Sequence, residues 1–284
     1  MTQVLALIAS PRKLGNCEIM AKAIAGHIPQ PSHTRFLRLH DFRIKPCLGC
    51  YRCLFKDQRC IIDDDLGIIL EALSDADALI VAAPTYFLGA NGMLKLFLDR
   101  GLSFYGRGDR LWNKPAVGVG IAGIPGKEGA TLLGIEGFLK LTLCRIKALR
   151  MVYGALPGEI FLNEGNRCLA ADLGRALLGP EPRPASPGCP VCGGTTFQFL
   201  SAGNVRCMVC SNAGSLESTP GGPVVRIAPG EHEFFRSTRD ARAHETWLRQ
   251  MKQRFFEHKK ELKQISKAFR GDWDWVKPPV KDTH

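Results

Sequence analysis

Four cysteines lie within one short stretch of this sequence, CLGCYRCLFKDQRC. Cys47, Cys50, Cys53 and Cys60 give it the spacing C-x2-C-x2-C-x6-C. Three thiolates this close together can bind one face of an iron–sulfur cubane, and the fourth can reach it from a short loop. Zinc sites usually use two separated pairs of ligands, and a thiol redox pair needs only two cysteines. An iron–sulfur cluster, a zinc ion and free thiols are the interpretations left open by the spacing.

A second set of cysteines has the spacing of a different kind of site. Cys189, Cys192, Cys207 and Cys210 form C-x2-C-x14-C-x2-C, with TFQFL between the two pairs. This pattern predicts a β-hairpin with a pair of thiolates at each end, which can bind Zn²⁺ tetrahedrally. Iron in a rubredoxin-like site has the same geometry and is the alternative. We predict structural zinc in a small zinc-ribbon.

The composition is that of a soluble protein in a reducing compartment. The 284 residues are 45% hydrophobic and 23% charged, which suits one sizeable α/β domain with an appendage. The start, MTQVLALIAS, lacks the features of a signal peptide, and no run approaches the ~18 apolar residues of a membrane helix. We therefore expect a cytoplasmic protein whose eleven cysteines stay reduced. Cys144 and Cys168 lie in helical patterns and are predicted to be core residues.

Apolar strands alternate with helices through the first part of the chain. Strands are predicted at Val4–Ser10, Thr34–Ile44, Asp77–Pro84, Pro115–Gly123 and Ala148–Leu156. Helices are predicted at Asn16–His27, Leu66–Ser74, Asn91–Ser103, Glu128–Arg145 and Glu164–Leu178. This alternation is typical of a parallel sheet that is covered by helices on both faces. We therefore predict a doubly wound α/β fold with a five-stranded parallel sheet.

Changes in composition predict the domain boundaries. Residues 1–178 are expected to form the α/β domain, with the cysteine stretch 47–60 as an insert. A proline-rich linker, GPEPRPASPG, follows at 179–188. The zinc-ribbon-like metal module is predicted at 189–228, and a basic helix and tail at 229–284.

The last segment is basic and could bind an acidic partner. Apolar residues at helical spacing predict a helix over about Glu231–Phe269. The chain has a net charge of +11, and a zinc ribbon beside a basic helix can bind nucleic acid or protein. An interaction module of this kind is therefore the alternative function from another class. Basic residues are also spread through the first domain, and no DNA-reading motif is found. We expect the helix to pack on the ribbon or on a neighbouring subunit, without nucleic acid.

The loop after the first strand, SPRKLGNC, contains groups that can bind a phosphate. Ser10 offers a hydroxyl, Arg12 a guanidinium and Asn16 an amide, all at the start of a helix. Backbone N–H groups and the helix dipole at such a position favour an anion. The loop is not GxGxxG, so the dinucleotide fingerprint is absent. A capped turn with a solvated arginine is the alternative interpretation.

A second loop, in the stretch PTYFLGANGMLKLFLDR, begins at Pro84 after an apolar strand. Tyr86 and Phe87 supply flat apolar surface on which an aromatic ring system can rest. Together the two loops resemble those of the flavodoxin-like NAD(P)H-dependent FMN reductase and iron–sulfur flavoprotein families, over about Val4–Leu178. The resemblance implies a flavodoxin-like fold and bound FMN.

The resemblance also implies which residues hold the FMN. The ribityl phosphate would be bound by Ser10, Arg12, Gly15, Asn16 and Cys17. Cys17 departs from the usual Thr or Ser, which leaves its backbone N–H as the group to bind. The isoalloxazine would contact Pro84, Thr85, Tyr86, Phe87, Leu88 and Gly89. Gly123, in the loop AGIPGKEGA, would lie at the far edge of the ring.

The cysteine stretch resembles the compact cysteine run of the iron–sulfur flavoproteins. In that family the run is followed by acidic residues, here resembled by Asp63, Asp64 and Asp65. It is not a copy of a bacterial ferredoxin motif, which has a shorter last gap and a proline after the final cysteine. The resemblance therefore favours a [4Fe–4S] cluster at Cys47–Cys60 that serves as an electron inlet.

These features predict an oxidoreductase that passes electrons from a ferredoxin-like carrier through the cluster to FMN and on to an acceptor. FMN can accept electrons singly and deliver them in pairs. The acidic surface of a ferredoxin would suit this basic chain. The resemblance implies a homo-oligomer, a dimer or a tetramer, and no general acid or base is identified. An NAD(P)H-dependent FMN or quinone reductase with structural cysteines is the alternative.

Overall fold

The apolar segments predicted as strands form one sheet in the computed structural model. Its strands are β1 (Thr2–Ile8), β2 (Ser32–Arg38), β3 (Ala78–Tyr86), β4 (Gly89–Ala90), β5 (Pro115–Ala122) and β6 (Arg145–Tyr153). The parallel strands have the order β2-β1-β3-β5-β6, which is the strand order of flavodoxin-like folds and confirms the predicted fold class. The structure describes residues 1–55, 58–182, 187–271 and 275–276.

The sheet has six strands, which corrects the predicted five. The added strand, β4, pairs antiparallel with the end of β3, with Thr85 opposite Ala90 and Tyr86 opposite Gly89. A strand of two residues is too short to show an alternating pattern, so the sequence does not reveal it.

Helices cover both faces of the sheet. They are α1 (Asn16–Ala25), α2 (Leu66–Asp75), α3 (Gly92–Leu98), α4 (Gly108–Leu111), α5 (Thr131–Leu141) and α6 (Gly165–Leu177). Successive residues of β1 alternate between the two faces. Leu5 and Leu7 pack in the core beneath α2, α3 and α5, whereas Val4, Ala6 and Ile8 pack beneath α1 and α6. Both faces are therefore buried, which explains the continuous apolar runs of the strands.

Three local predictions need correction. The helix predicted over Asn91–Ser103 ends at Leu98, and a 3-10 helix follows at Gly101–Arg107. Cys144 is buried as predicted, but it precedes β6 and lies outside any helix. Cys168 does lie on α6, yet it is exposed. Cys168 precedes the buried residue Ala170 by two positions, and residues two apart lie on opposite sides of a helix.

A small antiparallel sheet lies beside the second cysteine set, of which Cys207 belongs to a strand and the other three lie outside the strands. Its strands are β7 (Phe197–Phe199), β8 (Asn204–Cys207), β9 (Ala213–Thr219) and β10 (Gly222–Ile227). Their order is β10-β9-β8-β7, and β7 and β8 form the hairpin predicted between the two cysteine pairs. The predicted domain boundaries stay predictions, and residues 183–186 of the predicted linker lie outside the described residues.

The chain forms two compact units, Met1–Glu245 and Thr246–His284. The predicted basic helix is divided into α7 (Thr238–Glu257) and α8 (Lys259–Ala268), and the end of the predicted tail lies outside the described residues. None of the helices in the described ranges is both long enough and apolar enough to cross a membrane.

Candidate functional site

The loops after β1, β3, β5 and β6 surround one cleft of about 220 Å³. Parallel strands end at the same edge of the sheet, where ligands of this fold bind. Most of the residues predicted to bind the flavin line this cleft: Ser10, Arg12, Gly15, Asn16, Cys17, Pro84, Thr85, Tyr86 and Gly123. The lining residues that sequence reasoning missed are Ile121, Gly154, Ala155 and Pro157. The sequence could have indicated them, because Ile121 belongs to β5 and the other three follow β6, at the edge of the sheet where the predicted site lies.

A tight turn joins β1 to α1 and forms one wall of the cleft. A side chain at Gly15 would bring its Cβ to 2.8 Å from Arg12 Cβ, so the turn requires glycine. The Arg12 N–H donates to Ser10 Oγ at 3.3 Å, and Arg12 Nη1 donates to the carbonyl oxygen of Ala155 at 3.4 Å. The first N–H groups of α1 have no helical acceptors. These donors, the helix dipole and the guanidinium charge fit a phosphate group.

Glu18 fixes this turn, a role that the sequence did not suggest. Its Oε2 accepts the N–H of Leu14 at 2.9 Å, and its Oε1 accepts a hydrogen bond from Lys22 at 2.8 Å. Arg38 also donates to Glu18. Burial opposes ionisation, but these hydrogen bonds lower the pKa of Glu18 to about 2. The side chain is therefore a carboxylate at neutral pH and holds the turn in place.

Asn16 and Cys17 lie in the cleft with their side chains already engaged. Asn16 Nδ2 donates to the Gly154 carbonyl at 2.9 Å, and its Oδ1 accepts the Gly158 N–H at 2.8 Å. Its amide thus ties the loop after β6 to α1, which leaves the backbone of Asn16 to face a ligand. Burial raises the pKa of Cys17 to about 12, although the charge of Arg12 opposes this. Cys17 is therefore a protonated thiol packed in the core.

Phe87, Leu88 and Gly89 do not line the cleft. They form the turn from β3 to β4, in which Phe87 and Leu88 have φ angles of +47° and +62°. This left-handed conformation is costly for such side chains, and the Phe87 ring is fully exposed. The carbonyl of Leu88 accepts the Ala130 N–H at 2.8 Å, and a Cβ on Gly129 would lie 2.2 Å from the same oxygen. The third predicted loop therefore packs directly on this turn.

The first cysteine set lies on the chain between β2 and α2. Cys47 and Cys50 are exposed, while Cys53 and Cys60 are half-buried. Burial and then the charges of Cys60, Cys47 and Cys50 raise the pKa of Cys53 to about 11. The thiols are thus near enough to disfavour each other's ionised form. A bound cation or cluster would offset that repulsion.

Within the described ranges, the sulfur atoms of these four cysteines are not arranged around a single point in the way that a single ion requires. Tetrahedral zinc, with Zn–S bonds of about 2.3 Å, needs sulfur atoms about 3.8 Å apart. A cubane binds its thiolates at different iron atoms and accepts a wider set of sulfurs.

The acidic residues after the cysteines close the loop that carries them. Asp65 accepts the N–H of Arg43 at 2.6 Å, and the Asp65 N–H donates to the Arg43 carbonyl at 3.0 Å. Asp64 accepts the N–H of Lys45 at 2.9 Å. Asp63, by contrast, has an almost fully exposed side chain beside Arg43. Asp64 and Asp65 therefore hold the two ends of the cysteine loop together.

The second cysteine set is already arranged as a metal site. The Sγ atoms of Cys189 and Cys210 are 3.7 Å apart, and those of Cys192 and Cys207 are 3.5 Å apart. All four sulfur atoms lie within 4.8 Å of one another. A hydrogen bond from Cys192 lowers the pKa of Cys207 below its ordinary value, although burial opposes the shift. The spacing fits tetrahedral coordination of one ion by four thiolates.

Comparison with solved structures gives the fold. A protein titled flavone reductase superposes with a TM-score of 0.73, and the match covers 98% of this chain and 100% of that chain. Its sequence identity is 16%, so the likeness concerns the fold alone. Residues 2–133 match the family described as NADPH-dependent FMN reductase.

Comparison with curated proteins gives the family. An iron–sulfur flavoprotein of Methanocaldococcus jannaschii is 33% identical over 139 residues, which are 48% of this chain and 70% of that protein. An iron–sulfur flavoprotein of Archaeoglobus fulgidus is 35% identical over 99 residues, which are 34% of this chain and 48% of that protein. The chain therefore belongs to the iron–sulfur flavoprotein family and is a flavin-dependent oxidoreductase.

Proposed function

We propose that this chain binds FMN in the cleft and a [4Fe–4S] cluster at Cys47–Cys60, and that it passes electrons from a one-electron carrier to an acceptor at the flavin. The observation that supports this most is the cleft, where three separately predicted loops come together. Bound FMN would supply the step from single electrons to electron pairs, and the bound cluster would supply single electrons.

Residues of the cleft would bind and orient the cofactor. Arg12, Ser10 and the first N–H groups of α1 would hold the phosphate by charge-assisted hydrogen bonds. Thr85 and Tyr86 at the end of β3 would lie along the ring, together with Pro84, and the turn after them would adjoin it. The absence of a side chain at Gly123 would let the third loop approach the far edge.

The cysteine loop would be the electron inlet, because it presents a surface suited to a protein carrier. Leu48, Tyr51 and Ile61 are at least 49% exposed beside the cysteines. Arg52 and Arg59 lie in the same stretch, and the whole chain carries a net charge of +11. Exposed apolar groups with nearby positive charge suit an acidic carrier such as a ferredoxin.

The zinc-ribbon site would hold a structural zinc ion. The apolar core of this small sheet contains few buried side chains apart from the cysteines, among them Val205, Val225 and Ile227. A sheet with so small a core generally needs a metal ion for its stability. Zinc would supply that stability without taking part in electron transfer.

A second candidate function is an NAD(P)H-dependent FMN or quinone reductase in which the cysteines are structural. The match of residues 2–133 to the NADPH-dependent FMN reductase family favours it. In either function we propose a homo-oligomer, a dimer or a tetramer, with no nucleic acid as partner.

Metal and flavin analysis of anaerobically purified protein tests the proposal. We expect one FMN, one zinc, and about four iron and four sulfide per chain, with an electron paramagnetic resonance signal after reduction. In Cys50→Ser we expect loss of iron and sulfide with zinc and FMN retained. Wild-type protein with zinc at both cysteine sets and no sulfide would contradict the electron-inlet proposal and favour the reductase.

A further inference from the structure

A fully buried ion pair lies against the last cysteine of the first set. The side chains of Arg100 and Asp64 are 1% and 0% exposed, and Arg100 Nη1 donates to Asp64 Oδ2 at 2.6 Å. Arg100 Nη2 donates to Cys60 Sγ at 3.1 Å. This guanidinium therefore makes a hydrogen bond to a predicted cluster ligand from the protein side of the loop.

The same pair closes the loop that contains the cysteines. Asp64 Oδ2 accepts the Lys45 N–H at 2.9 Å, and Arg100 Nη1 donates to the Lys45 carbonyl at 2.7 Å. Asp64 Oδ1 also accepts the Leu66 N–H, at 3.2 Å, where α2 begins. Cys60 packs against the core on the α2 side of the sheet. Its sulfur is thus fixed relative to the core, while Cys47 and Cys50 are exposed.

Stability alone does not account for an ion pair in this place. Removing two charges from water costs several kcal/mol per ion, and well-packed apolar residues are often as stabilising as the pair. A buried arginine keeps its charge, because its guanidinium is not deprotonated in proteins. The pair therefore places a permanent positive charge and an N–H donor at one sulfur, with a carboxylate behind them.

We propose that Arg100, oriented by Asp64, is a positioning residue that raises the reduction potential of the cluster held by Cys60; this rests on the proposed function of the cysteine loop. Reduction of a bound cluster would add one electron from the carrier, and therefore one negative charge, to the cluster beside Cys60, and no bond forms or breaks. Hydrogen bonds to the sulfurs and nearby positive charge stabilise that added charge. Arg100 supplies both, and Asp64 partly offsets the charge.

Redox titration of the full-length holoprotein, followed by electron paramagnetic resonance, tests this role. In Arg100→Gln we expect the reduction equilibrium to become at least tenfold less favourable, a fall of about 59 mV or more for one electron. In Asp64→Asn we expect a shift of opposite sign, because the arginine charge is then unopposed. Arg100→Lys keeps the charge without the forked geometry and should restore part of the potential.

The opposite signs separate this role from a purely structural one. Loss of folding would disturb the cluster in the same direction in both variants. The control is Arg110→Gln, since Arg110 is a half-exposed arginine paired with Glu71 and Asp75 on the surface. The reduction potential of the cluster in this variant should equal that of the wild type.

Equal potentials in wild type, Arg100→Gln and Asp64→Asn, or shifts of one sign in both variants, would overturn the inference while leaving the cluster in place. Should Arg100→Gln retain no iron, the upward shift in Asp64→Asn carries the test alone. Absence of iron and sulfide from the wild type would instead overturn the proposed function.

Discussion

Arg12 is the one formally charged side chain among the described residues that line the cleft proposed to bind FMN. It lies one turn before α1, and its guanidinium contacts the Ala155 carbonyl at 3.4 Å. A phosphate bound at the start of α1 would therefore depend on this side chain for its neutralisation. Ser10 and the backbone would supply the remaining hydrogen bonds.

Replacing Arg12 with Ala should weaken FMN binding by about 10- to 100-fold, because hydrogen bonds to charged groups contribute about 1.5 to 3 kcal/mol. Riboflavin lacks the phosphate, so its affinity should change little. Fluorescence titration of the apoprotein with both flavins measures the difference. Lys13→Ala, next along the chain, is the matched control. An equal loss of affinity for FMN and riboflavin would contradict a phosphate-binding role.

Glu18 links the stability of the same turn to pH. Its pKa in the folded protein is lowered to about 2 from the ordinary value of 4.5, so the folded state releases this proton more readily than the unfolded state. The stabilisation by Glu18 is therefore complete above about pH 4.5 and is lost as the pH falls toward about 2.

Glu18→Gln should lower the free energy of unfolding by about 2 kcal/mol at pH 7, the usual range for hydrogen bonds to an ionised group. The difference between wild type and variant should shrink as the pH falls below about 4.5. Denaturant unfolding at pH 7 and pH 3 measures it. Glu164→Gln, at an exposed carboxylate before α6, is the control. A difference that stays constant between the two pH values would exclude this linkage.

At the scale of elements, the turn between β3 and β4 stores strain beside the cleft. Two-residue hairpin turns with positive φ at both central positions prefer Asn and Gly, and here those positions hold Phe87 and Leu88. A left-handed conformation costs such residues about 1 to 2 kcal/mol each. Strain of this kind is common where a loop adjoins a ligand site.

Leu88→Gly should therefore raise the free energy of unfolding, by about 1 kcal/mol after the entropy cost of glycine is deducted. Thermal and denaturant unfolding would show the change. In the control, Leu162→Gly, a still more exposed leucine without positive φ is replaced, and stability should fall. A loss of stability in Leu88→Gly would mean that the leucine side chain contributes more than the strain costs.

The sequence predicts those elements whose environment is uniform along their length. Strands buried on both faces consist of continuous apolar runs, so the sequence predicts both ends of β1, β3 and β5 to within two residues. β4 was missed because its pairing depends on a turn that contains neither Asn nor Gly. The role of Asn16 was missed because its partners, Gly154 and Gly158, lie more than 130 residues away. Arg100 had no local signal, since Cys60 and Asp64 meet it only through the fold.

At the scale of the whole molecule, the net charge of +11 should guide the choice of partner. Long-range attraction speeds the association of oppositely charged proteins and is screened by salt, with a Debye length of about 10 Å at 0.1 M. Flavin reduction by ferredoxin should therefore slow by about tenfold or more between about 0.05 and 0.5 M salt. Stopped-flow rates at limiting ferredoxin would show this. A rate independent of salt would argue against an acidic protein donor.

Anaerobic stopped-flow recording of flavin reduction tests most directly whether electrons enter at the cysteine loop. Cys50→Ser removes a proposed cluster ligand, and Cys168→Ser removes an exposed cysteine on α6 as the control. With reduced ferredoxin, we predict fast flavin reduction in wild type and Cys168→Ser. In Cys50→Ser it should be about 100-fold slower, which corresponds to about 2.7 kcal/mol in the barrier. Dithionite should still reduce the flavin of all three proteins. Rapid reduction by NAD(P)H that Cys50→Ser leaves unchanged, together with no response of the wild type to ferredoxin, would contradict electron entry at this loop.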